Sequence, residues 1–273
     1  MRIIRYRHHE YVDWGVLVGD TVHALAGTLY GEVAPSEPLY LLNSVALLAP
    51  CRPTKIVAVG RNYAAHAAEL GNEVPAEPII FLKPPSAIIG PNEAIVWPRE
   101  SQRVDYEGEL AAVIGRRCHA ISPDAARAPG VVWGYTCAND VTARDLQKRG
   151  GGPWARGKGY DTFCPLGPWI ETQLDPGDPS TGSGHGLRIV TRVAGQVRQD
   201  ARTSLMVYSV AALVSFISHI MTLEPGDVVL TGTPAGVGPL ILDDVVEVEV
   251  EGIGVLRNRV VEPALTDRPF TST

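Results

Sequence analysis

Cysteine is scarce in this sequence: four residues in 273, Cys51, Cys118, Cys137 and Cys164. They show no paired close spacing and are too few to staple so long a chain, which excludes a disulfide framework and makes a reducing cytoplasm the expected setting. Zinc-ligand spacing is missing among the Cys and His residues, and so is any GxSxG nucleophile elbow. No apolar run approaches the roughly 18 residues of a membrane span. At the start, His8, His9, Glu10 and Asp13 stand where a signal peptide needs an uninterrupted apolar stretch. Basic excess is absent too, with Lys plus Arg at 24 against 30 Asp plus Glu and a formal charge of −6. That balance offers no dense basic patch to a nucleic acid or a membrane surface, so small molecules are the expected partners. One phosphate-loop match fails: Gly152 to Lys158 spells GxxxxGK, but Gly159 stands where Ser or Thr must hold a metal, and Pro153 and Trp154 spoil the loop.

What is present belongs to an ordinary folded protein, 45% hydrophobic and 20% charged, without repeats, coiled coil or low-complexity blocks. Residues 1–50 alternate short apolar stretches with turn formers and end at Pro50-Cys51-Arg52-Pro53, which predicts a small N-terminal β-rich module. Residues 51–273 are then the main domain. Lys55 to Gly60 reads as a strand, followed by a short helix from Asn62 as N-cap to Gly71 as C-cap. Val131 to Ala138 is a strand that delivers Asp140 at its end. Gly150 to Gly152 and Asp175 to Gly186 read as loops, Leu205 to Met221 as one long helix capped by Thr203 or Ser204, and EVEVEGIGV as a strand pair. The expected fold class is mainly β with few helices.

Glu107 and Glu109 are two apart on an extended segment, so both carboxylates point to one face. A solvated strand face accounts for an isolated pair as well as a cation site does. Asp140 is a candidate third ligand, with capping of Val141 onward as its plain alternative. Mg2+ or Mn2+ suits such an oxygen-only set. Arg144 and Gln147 follow Asp140 by four and seven residues, and a helical turn would align all three beside a carboxylate substrate. His66 and Glu69, three apart on a short helix, offer a base and a carboxylate that orients it, or simply a surface pair. Lys158, inside RGKGYDT, is a plain surface lysine in most sequences; in a site it would supply positive charge to a developing enolate.

Several strings in one order carry a resemblance: VGRNYAAHAAELG, FLKPPSAIIGP, VDYEGELAAVIG, GYTCANDVTARDLQ, GKGYDTFCPLGPWI and MTLEPGDVVLTGTPAGVG with GIGVLRNRV. From about Lys55 to Val261 the chain resembles the fumarylacetoacetate hydrolase family, in its shorter members: acylpyruvate hydrolases, oxaloacetate decarboxylases and homoprotocatechuate-pathway isomerase/decarboxylases. The resemblance implies a mixed β-sandwich roll assembled as a homodimer. It implies Mg2+ or Mn2+ on Glu107, Glu109 and Asp140, a water-activating His66–Glu69 dyad on a lid, and substrate contacts from Arg144, Gln147, Lys158 and Thr233. The longer members add a metal carboxylate shortly before the catalytic His, where this chain reads KIVAVGRNY and is apolar up to Gly60; this places the chain with the short group. The expected activity is metal-dependent cleavage of carbon–carbon bonds in small 2-oxo acids, foremost hydrolysis of an acylpyruvate through an enolate. The alternatives are oxaloacetate decarboxylation, 2-hydroxyhepta-2,4-diene-1,7-dioate isomerisation or decarboxylation, and, in another class, a non-catalytic oxo-acid binder.

Overall fold

Short runs of Val and Ile broken by turn residues favour extended chain, and strands dominate the molecule as expected. The computed structural model describes residues 1–148, 154–177 and 185–263. The Gly150–Gly152 loop and the middle of the Asp175–Gly186 loop lie outside the described residues. Twelve strands form one large sheet. Its path runs Val33–Leu41, Thr21–Gly27, Tyr11–Val18, Arg2–His8, Cys164–Glu171, Val132–Asn139, Gly108–Ile114, Val228–Leu230, Ile56–Gly60 and Ile79–Lys83. Two short strands, Ala46–Leu48 and Ile88–Ile89, pair with Arg2–His8 and Cys164–Glu171 off this path. A five-stranded sheet runs Gln196–Arg202, Arg188–Val193, Val245–Val250, Gly254–Val261 and Ala94–Val96, and a small one joins Thr142–Ala143, Val104–Tyr106 and Gly238–Pro239. Residues 1–50 extend the large sheet, since Arg2 and Ile3 pair with Glu171 and Ile170.

The strand Gly108–Ile114 is buried along its whole length. One face gives Ala111 and Val113 to a core with Ile3, Val16, Ile56 and Leu166. The other gives Ala112 and Ile114 to a core with Leu213, Val214 and Ile217 of the helix Val210–Ile220. Leu110 meets Ile189, Val248 and Leu256 of the five-stranded sheet, and its burial is worth about 2 kcal/mol. Cover on both faces explains why LAAVI is a continuous apolar run rather than an alternating one. EVEVEGIGV instead alternates and forms the predicted pair: Val246, Val248 and Val250 point inward while Glu247 and Glu249 stay half-buried.

Both predicted helices are shorter than their patterns. The first spans Ala64–Glu69. Asn62 does not cap it, because its side chain donates to the carbonyls of Tyr208 and Thr231 and accepts from the Tyr208 N–H. Gly71 lies past the end with φ 69°, the left-handed conformation that suits a residue after a helix terminus. The long helix starts at Val210, not Leu205, with the Ser209 hydroxyl accepting from Ala212 N–H. Thr203 is unavailable as a cap: its hydroxyl accepts from Leu187 N–H and donates to the Pro176 carbonyl. Among the described residues no helix is long and apolar enough to cross a membrane.

A buried carboxylate locks the boundary segment to the sheet. Asp227 accepts from the backbone N–H groups of Thr54 (3.0 Å), Lys55 (3.1 Å) and Glu224 (2.8 Å) and from the Thr54 hydroxyl, and it pairs with the Lys55 ammonium. Replacing it by Ala orphans those donors, so Asp227→Ala should cost about 3 kcal/mol of stability. Urea unfolding measures this, and a loss well under 1 kcal/mol would show that the carboxylate does not hold the boundary.

Candidate active site

Two strands that lie side by side bring the acidic residues together. Gly108–Ile114 pairs antiparallel with Val132–Asn139, with Gly108 opposite Asn139, so Glu107 and Glu109 flank the point where the chain leaves toward Asp140. Gly108 between them is obligatory: a Cβ there would lie 2.0 Å from Thr191 Oγ1 of the five-stranded sheet. Oxygens of Glu107, Glu109 and Asp140, all buried, lie within 4.8 Å of one another. The three carboxylates predicted from sequence are therefore one cluster.

Cations answer two of the three. Glu107 receives Arg144 Nη2 at 2.5 Å and Lys158 Nζ at 2.8 Å. Asp140 receives Lys158 Nζ and Lys83 Nζ, each at 2.5 Å. Glu109 has no ion pair among the described residues and accepts only the Gly232 N–H, at 2.7 Å. Burial raises the pKa of Glu107, but Lys158, Arg144 and His66 outweigh it and hold the carboxyl well below the ordinary range. For Glu109 burial acts with the repulsion of Asp140 and Glu107, and its carboxyl is pushed well above the ordinary range. Burial lowers the Lys158 pKa, yet Asp140 and Glu107 outweigh it and keep the ammonium charged.

A cavity of about 360 Å³ opens above the cluster. Glu107, Asp140, Arg144, Gln147, Lys158 and His66 line it, as does Thr233, while Glu109 lies beneath its surface. His66 Nδ1 sits 3.3 Å from Glu69 Oε2, and the Gly236 N–H, 3.0 Å from Glu69 Oε1, fixes that carboxylate. Arg144 reaches Asp105 Oδ2 at 2.9 Å and Gln147 Oε1 at 2.8 Å. The helix carrying these two begins only at Arg144, after the strand Thr142–Ala143, so Asp140 neither caps it nor shares its face. The three converge through the turn instead. The Thr233 hydroxyl is committed to the fold: it donates to Gly108 O and accepts from Gln199 Nε2.

Three residues escaped the sequence reading. Lys83 is a fully buried cation at the end of the apolar strand Ile79–Lys83, a charge out of place in FLKPP. Asp105, fully buried, holds Arg144 and Arg103. Gln199 ties Gly108 N–H to Thr233, and nothing in its strand pattern sets it apart.

The donor set fits a divalent cation. It is all oxygen, which hard ions prefer, and the buried carboxyl without an ion pair among the described residues is the one whose pKa burial and its acidic neighbours push upward. Fold and site thus define a class: a rolled β protein with an oxygen-only acidic cluster at the floor of a cavity. The chain belongs to the fumarylacetoacetate hydrolase family, whose C-terminal domain matches residues 55–261. A domain described as Rv2993c-like, N-terminal, matches residues 1–50. Protein Rv2993c of Mycobacterium tuberculosis is 54% identical over 96% of this chain and 98% of its own. Oxaloacetate tautomerase FAHD2A of Bos taurus is 47% identical over 84% of this chain and 74% of its own. The structure of 2-hydroxyhepta-2,4-diene-1,7-dioate isomerase from Mycobacterium marinum is 45% identical, with TM-score 0.85 over 97% of this chain and 99% of that one. Fumarylpyruvate hydrolase from Pseudomonas aeruginosa, solved with Mn2+ and pyruvate, is 36% identical, with TM-score 0.70 over 79% of this chain and 91% of that one. Members of the family act as hydrolases, isomerases or decarboxylases and typically depend on a divalent metal.

Because burial and its acidic neighbours push the Glu109 carboxyl upward, a cation bound there would compete with a proton. Mn2+ or Mg2+ binding should therefore release a proton, and affinity should rise with pH until Glu109 ionises without help. Calorimetry in two buffers of different ionisation enthalpy measures this release. Glu109→Gln should weaken binding beyond the roughly 10–100-fold typical of losing an outer partner of a metal ligand; unchanged affinity would remove Glu109 from the ligand set.

Proposed function

We propose that the protein is a divalent-cation-dependent enzyme of small 2-oxo acids, with Glu107, Glu109 and Asp140 as the Mg2+ or Mn2+ ligands. Its committed chemistry is proton transfer at the carbon beside the 2-oxo group. The observation that carries this reading is the convergence of the oxygen cluster, the Lys158 and Arg144 cations and the His66–Glu69 pair on one cavity. When bound, the cation polarises the carboxylate and 2-oxo oxygens of the substrate as a Lewis acid.

The chain's own residues supply the rest. Arg144, with Gln147 beside it, binds the substrate carboxylate through a planar fork already oriented by Asp105 and Glu107. Lys158 places its ammonium where negative charge grows on the 2-oxo oxygen as the enolate forms. His66 takes the proton, and Glu69, itself anchored by Gly236, orients the ring and stabilises its charged form. Return of the proton to another position of the enol gives tautomerisation or isomerisation, the activities named for relatives 45–47% identical to this chain. Hydrolysis of an acylpyruvate is the second reading. It is favoured by the assembled His66–Glu69 dyad, which suits a base that activates water.

Exchange of the C3 protons of 2-oxo acids in D2O, followed by proton NMR with Mg2+ or Mn2+, tests the shared step. His66→Ala should slow catalysed exchange by about 100-fold or more, and Glu69→Gln by less. Unimpaired exchange in His66→Ala would discard His66 as the base. The accompanying release of pyruvate from acylpyruvates separates hydrolysis from isomerisation.

A further inference from the structure

Among the described residues, every Lys or Arg lining the cavity or meeting the cluster is already paired except one. Arg144 is held by Asp105 and Glu107, Lys158 by Glu107 and Asp140, and Lys83 by Asp140. Arg61 also lines the cavity, is half-buried, and has no hydrogen bond or ion pair among the described residues. Its backbone is in the left-handed region, at φ 58°, where a side chain is disfavoured. Neighbours impose this conformation. Gly60 lies under Trp154, whose ring would be 2.5 Å from a Cβ placed there, and three hydrogen bonds pin the Asn62 side chain. A backbone in a disfavoured conformation, fixed on both sides, thus carries on the cavity wall a guanidinium with no partner among the described residues.

The lining that Arg61 shares is mixed, with Asn72, Gln147 and His66 beside apolar groups. Phe81 and Trp154 pack edge to face at 5.1 Å, and Leu70 lines the same cavity. A half-buried guanidinium with no partner among the described residues favours a carboxylate that can meet it with two hydrogen bonds.

We infer that Arg61 binds a second carboxylate on the substrate, at the end remote from Glu107 and Asp140, and so selects 2-oxo dicarboxylates over 2-oxo acids with apolar tails. This rests on the reading of the cavity as a 2-oxo acid site, and the two can fail separately. The test is calorimetric binding, with Mg2+ present, of matched pairs that differ only in the distal group: oxaloacetate against 2-oxobutanoate, and 2-oxoglutarate against 2-oxopentanoate. The wild-type protein should prefer the dicarboxylate of at least one pair by about tenfold or more. Arg61→Gln should abolish that preference while leaving the monocarboxylate affinity unchanged, and Arg61→Lys should restore part of it. Thermal unfolding of each variant checks that the strained turn still folds, and Arg61→Lys carries the comparison if Arg61→Gln does not. Equal affinities in the wild type, or a preference that survives in Arg61→Gln, would overturn the assignment. A dicarboxylate preference without C3 exchange or turnover of any oxo acid would uphold Arg61 and sink the proposed function instead.

Discussion

Mutual repulsion of three buried carboxylates is the constraint around which this molecule is arranged. Removing even one carboxylate from water costs several kcal/mol unless it is paired and hydrogen-bonded, and Glu107, Glu109 and Asp140 share one spot. The answer is a chain of alternating charge that runs outward from the cluster. Lys83 meets Asp140, Lys158 bridges Asp140 and Glu107, and Arg144 links Glu107 to Asp105. Asp105 in turn meets the exposed Arg103, where solvent takes over. The chain leaves Glu109 without an ion pair among the described residues, which is where the proposed cation would supply the missing charge. The side chains a substrate would meet are also those that keep the acids tolerable in the fold, so Arg144 and Lys158 are positioned before any ligand arrives.

The β architecture supplies the rigidity this requires. A strand covered on both faces cannot shift its register without moving its whole apolar set, so residues flanking Gly108 are fixed by the packing of Leu110 to Ile114. The five-stranded sheet then buttresses the cluster from outside: Thr191 fills the space above Gly108, and Gln199 ties Gly108 to Thr233. Gly232, at φ 99°, turns its N–H onto Glu109 in a conformation that side chains disfavour. The spacing Glu-Gly-Glu thus has a double meaning. The acids form the cluster that could hold a cation, and the glycine makes room for the neighbouring sheet.

Much of this was legible in the sequence, and the exceptions have physical causes. Period-two patterning announced the mainly β class and the hairpin at Val245–Val261. The acidic cluster followed from its spacing together with the motif strings around it. Helix starts were misplaced where a capping residue had a better partner far away in sequence: Asn62 is claimed by Tyr208 and Thr231, and Thr203 by Leu187 and Pro176. A helix from Asp140 onward failed because the chain first adds a short strand to a third sheet. Lys83 and Asp105 were missed for a related reason, since a buried charge shows its purpose only beside its counter-charge, 57 residues away for Lys83 and 39 for Asp105.

The fold and the acidic cluster are compatible with tautomerisation, isomerisation and hydrolysis alike, so neither selects the reaction. The difference lies in where His66 acts along the substrate. Proton transfer beside the 2-oxo group needs the base at C3, whereas hydrolysis of an acylpyruvate needs it to activate a water against the next carbonyl, at C4. That is a displacement of one carbon, well within the reach of a single ring anchored by Glu69. A substrate tethered only at the cluster could slide between the two. If a substrate is held at both ends, by Arg144 and Lys158 at the cluster and by Arg61 elsewhere on the cavity wall as inferred above, its register is set by the number of carbons between its carboxylates. Chain length would then decide which atom faces His66, and reaction specificity would become a matter of fit between two cationic anchors.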